Sequence, residues 1–288
     1  MRRLLLAIIL AAVFLPASAQ ASSESLRVLP LRSRPVVEPG QTLASTLQVR
    51  NSGSEPLLIR LSAEKFAVTN EQYDYRFEQG SESDWVRFPV SDFVLQPEEQ
   101  RDVAYSIAVP SNASPGGYYF SLFAAGEPTT QSDAIREVKR VASLVYLEIP
   151  GDLRQEGKIV DANLVGLTFD RNLSYELRLI NQGNVHYDVD SRLRLTNILN
   201  IQISDFQLAG LLFPGTIRKL QSEILLPALP GIYKVDGSVS FPAAKQNVPT
   251  RYVVYLPPWA LLLGIILIGY LAYWQYAKRQ TRKQKRPN

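Results

Sequence analysis

An internal duplication constrains this chain most, because a repeated segment must build the same fold twice. Residues 97–110 recur as residues 214–227, each running from a proline turn through an alternating strand to a second proline. Residues 115–118 recur as residues 230–233, and the offset falls from 117 to 115 across a gap in a loop. The apolar positions of the two copies coincide, at Val103, Ile107 and Val109 and at Leu220, Ile224 and Leu226. The duplication therefore predicts two tandem domains of one type.

Between its apolar termini the chain alternates apolar and polar residues, which is the pattern of half-buried strands. In Thr42–Arg50, for example, Leu43, Leu47 and Val49 share one face and most polar side chains occupy the other. No long stretch of this region carries an apolar stripe of helical period. We therefore predict an all-β fold of two tandem immunoglobulin-like β-sandwiches, over residues 24–150 and 151–256, followed by a single C-terminal transmembrane helix.

The C-terminal segment is long and apolar enough to cross a membrane. Residues 257–277 are apolar apart from Gln275, and a helix of that length spans a hydrocarbon core of roughly 30 Å. Six basic residues and no acidic residue follow in residues 278–288. Because positively charged flanks stay on the cytoplasmic side, we predict a basic cytoplasmic tail and an ectodomain outside the membrane.

Residues 1–19 have the features of a secretory signal peptide. Arg2 and Arg3 precede an apolar run, and the small residues of 17–19 provide a signal-peptidase site. The alternative is an uncleaved anchor, against which both Pro16 and the cleavage site argue. The two termini together predict a single-pass type I protein of the cell membrane.

The charge and composition of the ectodomain exclude several classes of function. Its 23 basic and 27 acidic residues give a net charge of −4, because the other eight Lys and Arg residues lie at the termini. Proteins that bind nucleic acid carry a basic surface, so nucleic acid is not expected as a partner. The chain has no cysteine, which excludes disulfides, thiol catalysis and thiolate metal sites.

The first domain carries an aromatic-rich insertion between residues 63 and 93 that the second domain lacks. Tyr73, Tyr75 and Phe77 are predicted to share one face of a strand, and Trp85 follows after a polar loop. Aromatic rings stack on sugars and anchor protein interfaces, so these four side chains are the candidate ligand contact. The alternative is that they cap the core of the first sandwich.

The titratable residues form no recognisable catalytic or metal-binding pattern. His186 is the only histidine, and its neighbours predict a surface position on a strand. Asp188 and Asp190 lie two apart and share a face, where a solvated surface is expected rather than a cation site. Motifs of serine hydrolases, zinc proteases and P-loop proteins do not occur in the sequence. We therefore expect a protein that is not an enzyme and that uses neither metal nor cofactor.

The first domain resembles the WxL-interacting proteins of Gram-positive bacteria. The resemblance lies in Val37–Thr42, in the strand ending in Asn51-Ser52-Gly53, in Leu95-Gln96-Pro97 with Arg101 and Val103, and in Val109-Pro110 followed by Pro115-Gly116-Gly117. The order of signal, two sandwiches, membrane span and basic tail is also similar. The resemblance implies that the first domain contacts peptidoglycan and the second a partner protein.

These features predict a membrane-anchored cell-surface protein that binds cell-wall polymer (peptidoglycan) or another envelope protein through its ectodomain. Two other functions stay open. The sandwiches could donate or accept strands like those of a pilus chaperone. Alternatively, the protein could be an accessory subunit of a membrane or surface-assembly complex.

Overall fold

A computed structural model describes residues 26–129 and 138–284 of the chain, with side chains as far as Arg279. The predicted signal peptide, residues 1–19, lies outside the described residues, as does the end of the predicted tail. Within the described residues, 18 strands precede one long helix. The prediction of an all-β fold with one C-terminal helix is therefore confirmed.

Ten strands form the first sandwich. They are β1 (Leu26–Leu29), β2 (Arg32–Ser33), β3 (Thr42–Asn51), β4 (Leu57–Val68), β5 (Tyr75–Glu78), β6 (Val86–Arg87), β7 (Asp92–Leu95), β8 (Gln100–Ala108), β9 (Gly116–Pro128) and β10 (Lys139–Ile149). One sheet has the order β1-β3-β8-β6, and the other has the order β2-β10-β9-β4-β5 with β7 beside β4. A short 3-10 helix, Ser83–Trp85, lies between β5 and β6.

Eight strands form the second sandwich. They are β11 (Gly157–Leu164), β12 (Leu167–Thr168), β13 (Asn172–Asn181), β14 (Tyr187–Asn197), β15 (Gln202–Leu212), β16 (Ile217–Leu225), β17 (Gly231–Ser240) and β18 (Lys245–Tyr255). Its sheets have the orders β11-β13-β16 and β12-β18-β17-β14-β15. The predicted residue limits of the two domains stay predictions, and the gap between β10 and β11 contains the predicted joint.

Each sandwich has a hydrophobic core of its own, built from the alternate residues of each strand that face inward. Phe120, Leu47 and Ile59 are fully buried in the first core. Tyr175 and Tyr255 are fully buried in the second. The period-two pattern of the sequence therefore accounts for both cores.

The duplication in the sequence is a repeat in the structure. Strand β16 repeats β8 at an offset of 117 residues, and β17 starts 115 residues after β9. Glu98 and Gly215 occupy equivalent positions in the two proline turns, and both have a positive φ, of 61° and 68°. The two copies therefore share turn geometry as well as strand order.

A buried asparagine closes the same turn in both copies. The Nδ2 groups of Asn51 and Asn181 each donate to two backbone carbonyl oxygens at 2.8–3.2 Å, and each Oδ1 accepts a backbone N–H two residues on. The bonded residues are Gly53, Glu55 and Leu95 in the first copy, and Gly183, Val185 and Leu212 in the second. An unpaired buried amide costs roughly 1–3 kcal/mol, which explains why both turns need asparagine.

Two residues separate the end of β18 from the helix α1 (Pro258–Gln284). Its segment Pro258–Arg279 is long and apolar enough to cross a membrane. The apolar part of this segment is not buried against the sandwiches in the described residues. The helix therefore begins at Pro258, one residue after the start of the predicted span of 257–277, and it continues past residue 277.

Candidate functional site

A third hydrophobic cluster, the junction cluster, lies between the two sandwiches and consists mainly of aromatic rings. Phe213 of the second sandwich has its ring centroid 4.7 Å from that of Tyr119 and 5.5 Å from that of Tyr146. Both contacts are edge to face, with interplanar angles of 89° and 76°, which is a favoured arrangement of aromatic pairs. The members of the cluster are Phe66, Tyr73, Leu144, Tyr146 and Phe213, with Val68, Tyr75, Phe77, Tyr119 and Leu211 packed against them.

Tyr73 makes the central polar contact of the junction cluster. Its hydroxyl lies 2.8 Å from Oγ1 of Thr216 and accepts the backbone N–H of Phe213 at 3.2 Å. The guanidinium of Arg218 lies 4.5 Å from the centroid of the Tyr73 ring. Burial raises the pKa of the Tyr73 hydroxyl, and the hydrogen bonds to Thr216 and Phe213 oppose that effect. Tyr73 is therefore a neutral group that ties the inserted segment to the second sandwich.

The structure corrects the predicted arrangement of the four aromatic residues. Tyr73 precedes β5 in a turn with φ of 70°, so it does not share a strand face with Tyr75 and Phe77. Tyr75 and Phe77 lie on β5, half-buried, with ring centroids 5.1 and 6.2 Å from that of Phe66. Tyr73 and Tyr75 contact Phe213 of the second sandwich, whereas Phe77 packs on Phe66 and Phe123 of the first.

Trp85 lies apart from the other three aromatic residues. It ends the 3-10 helix, and its ring centroid lies 4.9 Å from that of Tyr118 and 5.9 Å from that of Phe120. It therefore covers the core of the first sandwich, as the alternative interpretation expected. A ligand contact through the half-exposed Tyr75 and Phe77 stays a prediction.

Two ion pairs cross the junction at its rim. The Nε of Arg178 lies 2.8 Å from Oε2 of Glu71, and a second Arg178 nitrogen bonds the other carboxylate oxygen. Arg34 makes a similar pair with Asp188, in which Nη2 lies 3.1 Å from Oδ1. Each arginine lowers the pKa of its carboxylate partner by hydrogen bonding. Asp188 is exposed, as expected, and it also forms an ion pair with the other domain.

His186 is buried in the junction, so its predicted surface position is wrong. Only 7% of the residue is exposed, and its ring centroid lies 5.6 Å from those of Tyr119 and Tyr146. The hydroxyl of Tyr119 lies 3.4 Å from Nδ1. Burial lowers the pKa of His186 to about 4, the charge of Arg34 lowers it further, and Asp188 opposes both. A neutral imidazole between tyrosine rings is a packing group of the junction.

Backbone contacts around Asn184 complete the connection between the sandwiches. The carbonyl oxygen of Asn184 accepts the N–H of Gly117 at 2.9 Å, and its side chain bonds Arg154 N at 2.7 Å and Asp152 O at 2.9 Å. Gly116 has φ of 146°, and a Cβ there would lie 2.9 Å from the Asn184 oxygen. The close approach of the two domains therefore requires a glycine at Gly116.

The described residues offer no evident metal site. In residues 26–129 and 138–284, no group of three His, Asp or Glu side chains could hold a metal ion. Among the residues noted in the sequence, Asp188, Tyr73 and Tyr75 make contacts between the sandwiches.

Strand β15 is the longest strand at the edge of any sheet in the described part of the chain. It has 11 residues and pairs with β14 on one side only. The strand contains no proline, and Asp205 is its only charged residue. Arg218 donates to the carbonyl oxygen of Leu211 at 2.7 Å, so the open part of the edge begins at Gln202 and ends before Leu211. A row of unpaired backbone groups of this kind is a template for an added strand.

The first sandwich blocks the equivalent edge. Leu95 and Leu212 are equivalent by their bonds to the buried asparagines, yet Leu95 ends a strand of only four residues, β7. The second short strand on this side of β4 is β5, and Pro89 interrupts the chain between them. Short strands and prolines are the devices by which sheets prevent edge pairing. The continuous edge of β15 therefore distinguishes the second copy from the first.

Comparison with known proteins gives only a similarity of architecture. No family model and no curated protein matches the sequence. The class 5 fimbriae chaperone CfaA is 10% identical, with 81% of this chain and 99% of that chain covered and a TM-score of 0.41. A chain of the CsuC–CsuE chaperone–tip adhesion subunit complex of Acinetobacter baumannii is 13% identical, with 80% and 99% covered and a TM-score of 0.39. A protein of unknown function from Porphyromonas gingivalis is 18% identical, with 80% and 99% covered and a TM-score of 0.32.

Proposed function

We propose that this protein is a membrane-anchored accessory protein of the cell envelope that holds another polypeptide by strand addition to β15. The observation that supports this proposal is the open 11-residue edge of β15, which the first copy of the fold replaces by short strands. An edge strand that has no need to pair is usually blunted. An edge left continuous in one copy and blunted in the other indicates that a partner occupies it.

Strand addition accounts for both affinity and selectivity. Main-chain hydrogen bonds to the edge supply affinity, and alternate side chains of the added strand supply selectivity. Along β15, Phe206 and Leu208 face the core, and the Phe206 ring lies 5.7 Å from that of Tyr175. An added strand would extend this sheet and cover apolar surface beside Phe206. The chemistry fits an extended segment with alternating apolar side chains.

The junction cluster gives this edge a fixed relation to the rest of the ectodomain. Phe213 follows β15 directly and is held among rings of the first sandwich. The first sandwich therefore serves as a support for the open edge. In this account the protein binds and positions its partner and performs no covalent chemistry.

Helix α1 supplies the anchor. We place Pro258–Arg279 in the membrane, the sandwiches outside it and the basic tail in the cytoplasm, because cytoplasmic flanks carry the positive charges. The sandwiches would then lie in the same compartment as exported or assembling polypeptides. The signal peptide predicted for residues 1–19 agrees with this topology.

Binding of cell-wall polymer is a second candidate function, favoured by the partial exposure of Tyr75 and Phe77. This candidate and membership of the WxL-interacting family both come from the sequence. Binding of cell-wall polymer would use the surface at β5, whereas strand addition would use the edge of β15.

A photo-cross-linking amino acid at Gln207, in the exposed part of β15, tests the proposal in the full-length protein in its native membrane. We expect one discrete polypeptide to be cross-linked at Gln207. The control position is Asn163, which is exposed on β11 in the other sheet. Equal products at both positions, or no product at Gln207, would contradict strand addition.

A further inference from the structure

Exposed apolar side chains collect at the end of the second sandwich from which the helix α1 leaves. The turn between β14 and β15 exposes three of them, with 60% of Ile198, 73% of Leu199 and 58% of Ile201 accessible to solvent. Asn197 shapes this turn through its Oδ1, which accepts the backbone N–H groups of Leu199 and Ile201 at 3.0 and 2.9 Å. The turn is therefore an ordered structure that presents large aliphatic groups to its surroundings.

Strand register shows that this apolar turn lies beside the start of the helix. Asn197 is opposite Tyr233 in β17, and Tyr233 is opposite Val253 in β18. The helix begins at Pro258, only five residues after Val253. The turn and the root of α1 therefore extend from the same end of the five-stranded sheet.

Loops from the other strands add to the same end. Leu167 pairs with Val254, and Leu225 lies opposite Asn172 at the start of β13. Five apolar residues at this end are each about half exposed or more. They are Val165, Leu167, Phe169, Leu225 and Leu229. An open groove at the root of the helix is lined by Phe169, Leu225 and Trp259, among others. Isolated exposed apolar residues are ordinary, but a contiguous set marks an interaction surface.

The opposite end of this sandwich has a different character. Its apolar side chains, such as Phe213, are buried against the first sandwich. The turn that joins β17 to β18 at this end lies between Ser240 and Lys245. The small exposed residue Ala243 is at the tip of this turn. The exposed apolar surface of the second sandwich is therefore concentrated at one end and faces away from the first sandwich.

The link between sandwich and helix is too short to separate this end from a membrane. Only Leu256 and Pro257 lie between β18 and α1, and two residues span at most about 7 Å. The interfacial layer on each side of the hydrocarbon core is about 5–7 Å thick. Trp259, at the first turn of the helix, has the side chain that favours this layer. The apolar turns are therefore held at the depth where aliphatic groups gain by leaving water.

We propose that the membrane-proximal end of the second sandwich docks on the bilayer, with Ile198, Leu199 and Ile201 inserted in the interfacial layer. This proposal rests on the membrane anchoring that forms part of the proposed function. Docking at a second point, beside the helix, would fix the tilt of the ectodomain. The open edge of β15, which starts at Gln202 directly after this turn, would then rise from the membrane surface.

Fluorescence quenching in vesicles tests the docking with the full-length protein. Because the chain has no cysteine, one cysteine at a time can carry a polarity-sensitive fluorophore, in the variants Leu199→Cys, Ala243→Cys and Ile266→Cys. The vesicles consist of phosphatidylcholine and phosphatidylglycerol, with a quencher placed either near the headgroup or at the end of an acyl chain. Ala243 is the matched control, since it is the tip of a turn at the opposite end of the same sandwich. Ile266 lies in the middle of the helix and reports the anchoring itself.

We expect the label at position 199 to show blue-shifted emission and quenching by the shallow quencher near the headgroup. The label at position 266 should be quenched by the deep quencher at the end of the acyl chain. The label at position 243 should respond to neither quencher. Quenching at 266 without quenching at 199 would overturn the docking and leave the anchoring intact. Equal shallow quenching at 199 and 243 would also overturn it. Absence of deep quenching at 266 would overturn the anchoring and the docking together.

Discussion

The hydroxyl of Tyr73 lies 2.8 Å from Oγ1 of Thr216, a residue 143 positions further along the chain. The same hydroxyl accepts the backbone N–H of Phe213. One residue of the aromatic insertion thus satisfies two polar groups of the second sandwich. The insertion that distinguishes the first domain is therefore one of the parts that hold the two domains together.

Removing the Tyr73 hydroxyl should destabilise the folded protein. In Tyr73→Phe, the N–H of Phe213 loses its acceptor in a buried site, and an unsatisfied buried donor costs about 1–3 kcal/mol. We expect a lower urea midpoint for the full-length protein in detergent. Tyr252→Phe is the control, because Tyr252 is an exposed tyrosine of the second sandwich. Equal midpoints in the two variants would show that the Tyr73 contact contributes nothing to the fold.

Truncating Phe213 should uncouple the sandwiches. Phe213→Ala leaves a cavity among the rings of Phe66, Tyr119 and Tyr146, and such truncations cost roughly 3–5 kcal/mol. Since each sandwich keeps its own core, we expect the urea transition to separate into two. Phe169→Ala, at an exposed phenylalanine, serves as the control. A single transition with an unchanged midpoint would contradict the assigned role of the junction cluster.

The junction should weaken as the pH falls from neutral toward 4. The pKa of His186 is lowered to about 4 by burial, whereas an unfolded chain titrates near the ordinary value of about 6.5. Above pH 6.5 the imidazole is neutral in both states. Between these values only the unfolded chain binds the proton, so the free energy of unfolding falls by roughly 2–3 kcal/mol.

The substitution His186→Phe isolates this effect. Phenylalanine keeps an aromatic ring beside Tyr119 and Tyr146 but cannot bind a proton. We expect the urea midpoint of the natural protein to fall more than that of the variant between pH 7 and pH 4.5. Parallel pH profiles would indicate that His186 remains accessible to protons in the folded protein.

The ion pair of Glu71 and Arg178 should respond in a lower pH window. Hydrogen bonding to Arg178 lowers the pKa of Glu71, so its contribution is complete above the ordinary carboxyl value and is lost as the pH falls through the lower folded-state value. A double-mutant cycle with Glu71→Gln and Arg178→Gln should give a favourable coupling at pH 7 that is lost as the pH falls through the lowered pKa of Glu71. A coupling that is unchanged once Glu71 is protonated would exclude the carboxylate as its source.

Much of the fold could be predicted from the sequence because local patterns determine it. Alternation in Thr42–Arg50 fixed the faces of β3, and the repeat at 97–118 and 214–233 fixed the equivalence of the two copies. The helix was predictable from its apolar length. These features depend on residues close together in the chain, where periodicity reports burial.

The junction could not be predicted in the same way, because its contacts join residues far apart in sequence. Tyr73 and Phe213, or Arg34 and Asp188, meet only after both sandwiches have formed. His186 follows a turn that resembles any exposed loop, yet the other domain covers it. The one available signal was Gly116, where the close approach of the Asn184 backbone requires glycine.

The edge of β15 was also missed, since pairing partners are set by topology. Sequence alternation shows that Gln202–Leu212 is a strand but not that it ends a sheet. Comparison of the two copies shows where they diverge. The absence of proline from β15, against Pro89 and Pro97 around β7, was the available sequence signal.

Amide hydrogen exchange along β15 tests the central claim, that this edge pairs with another polypeptide, most directly. The measurement compares full-length protein purified from its own membranes in mild detergent with the same protein produced in a foreign host. We predict slower exchange for amides within residues 202–209 of the native preparation, with β11 unchanged as the internal control. Identical exchange in β15, or protection confined to Tyr75 and Phe77, would contradict strand addition and move the binding surface to the aromatic insertion.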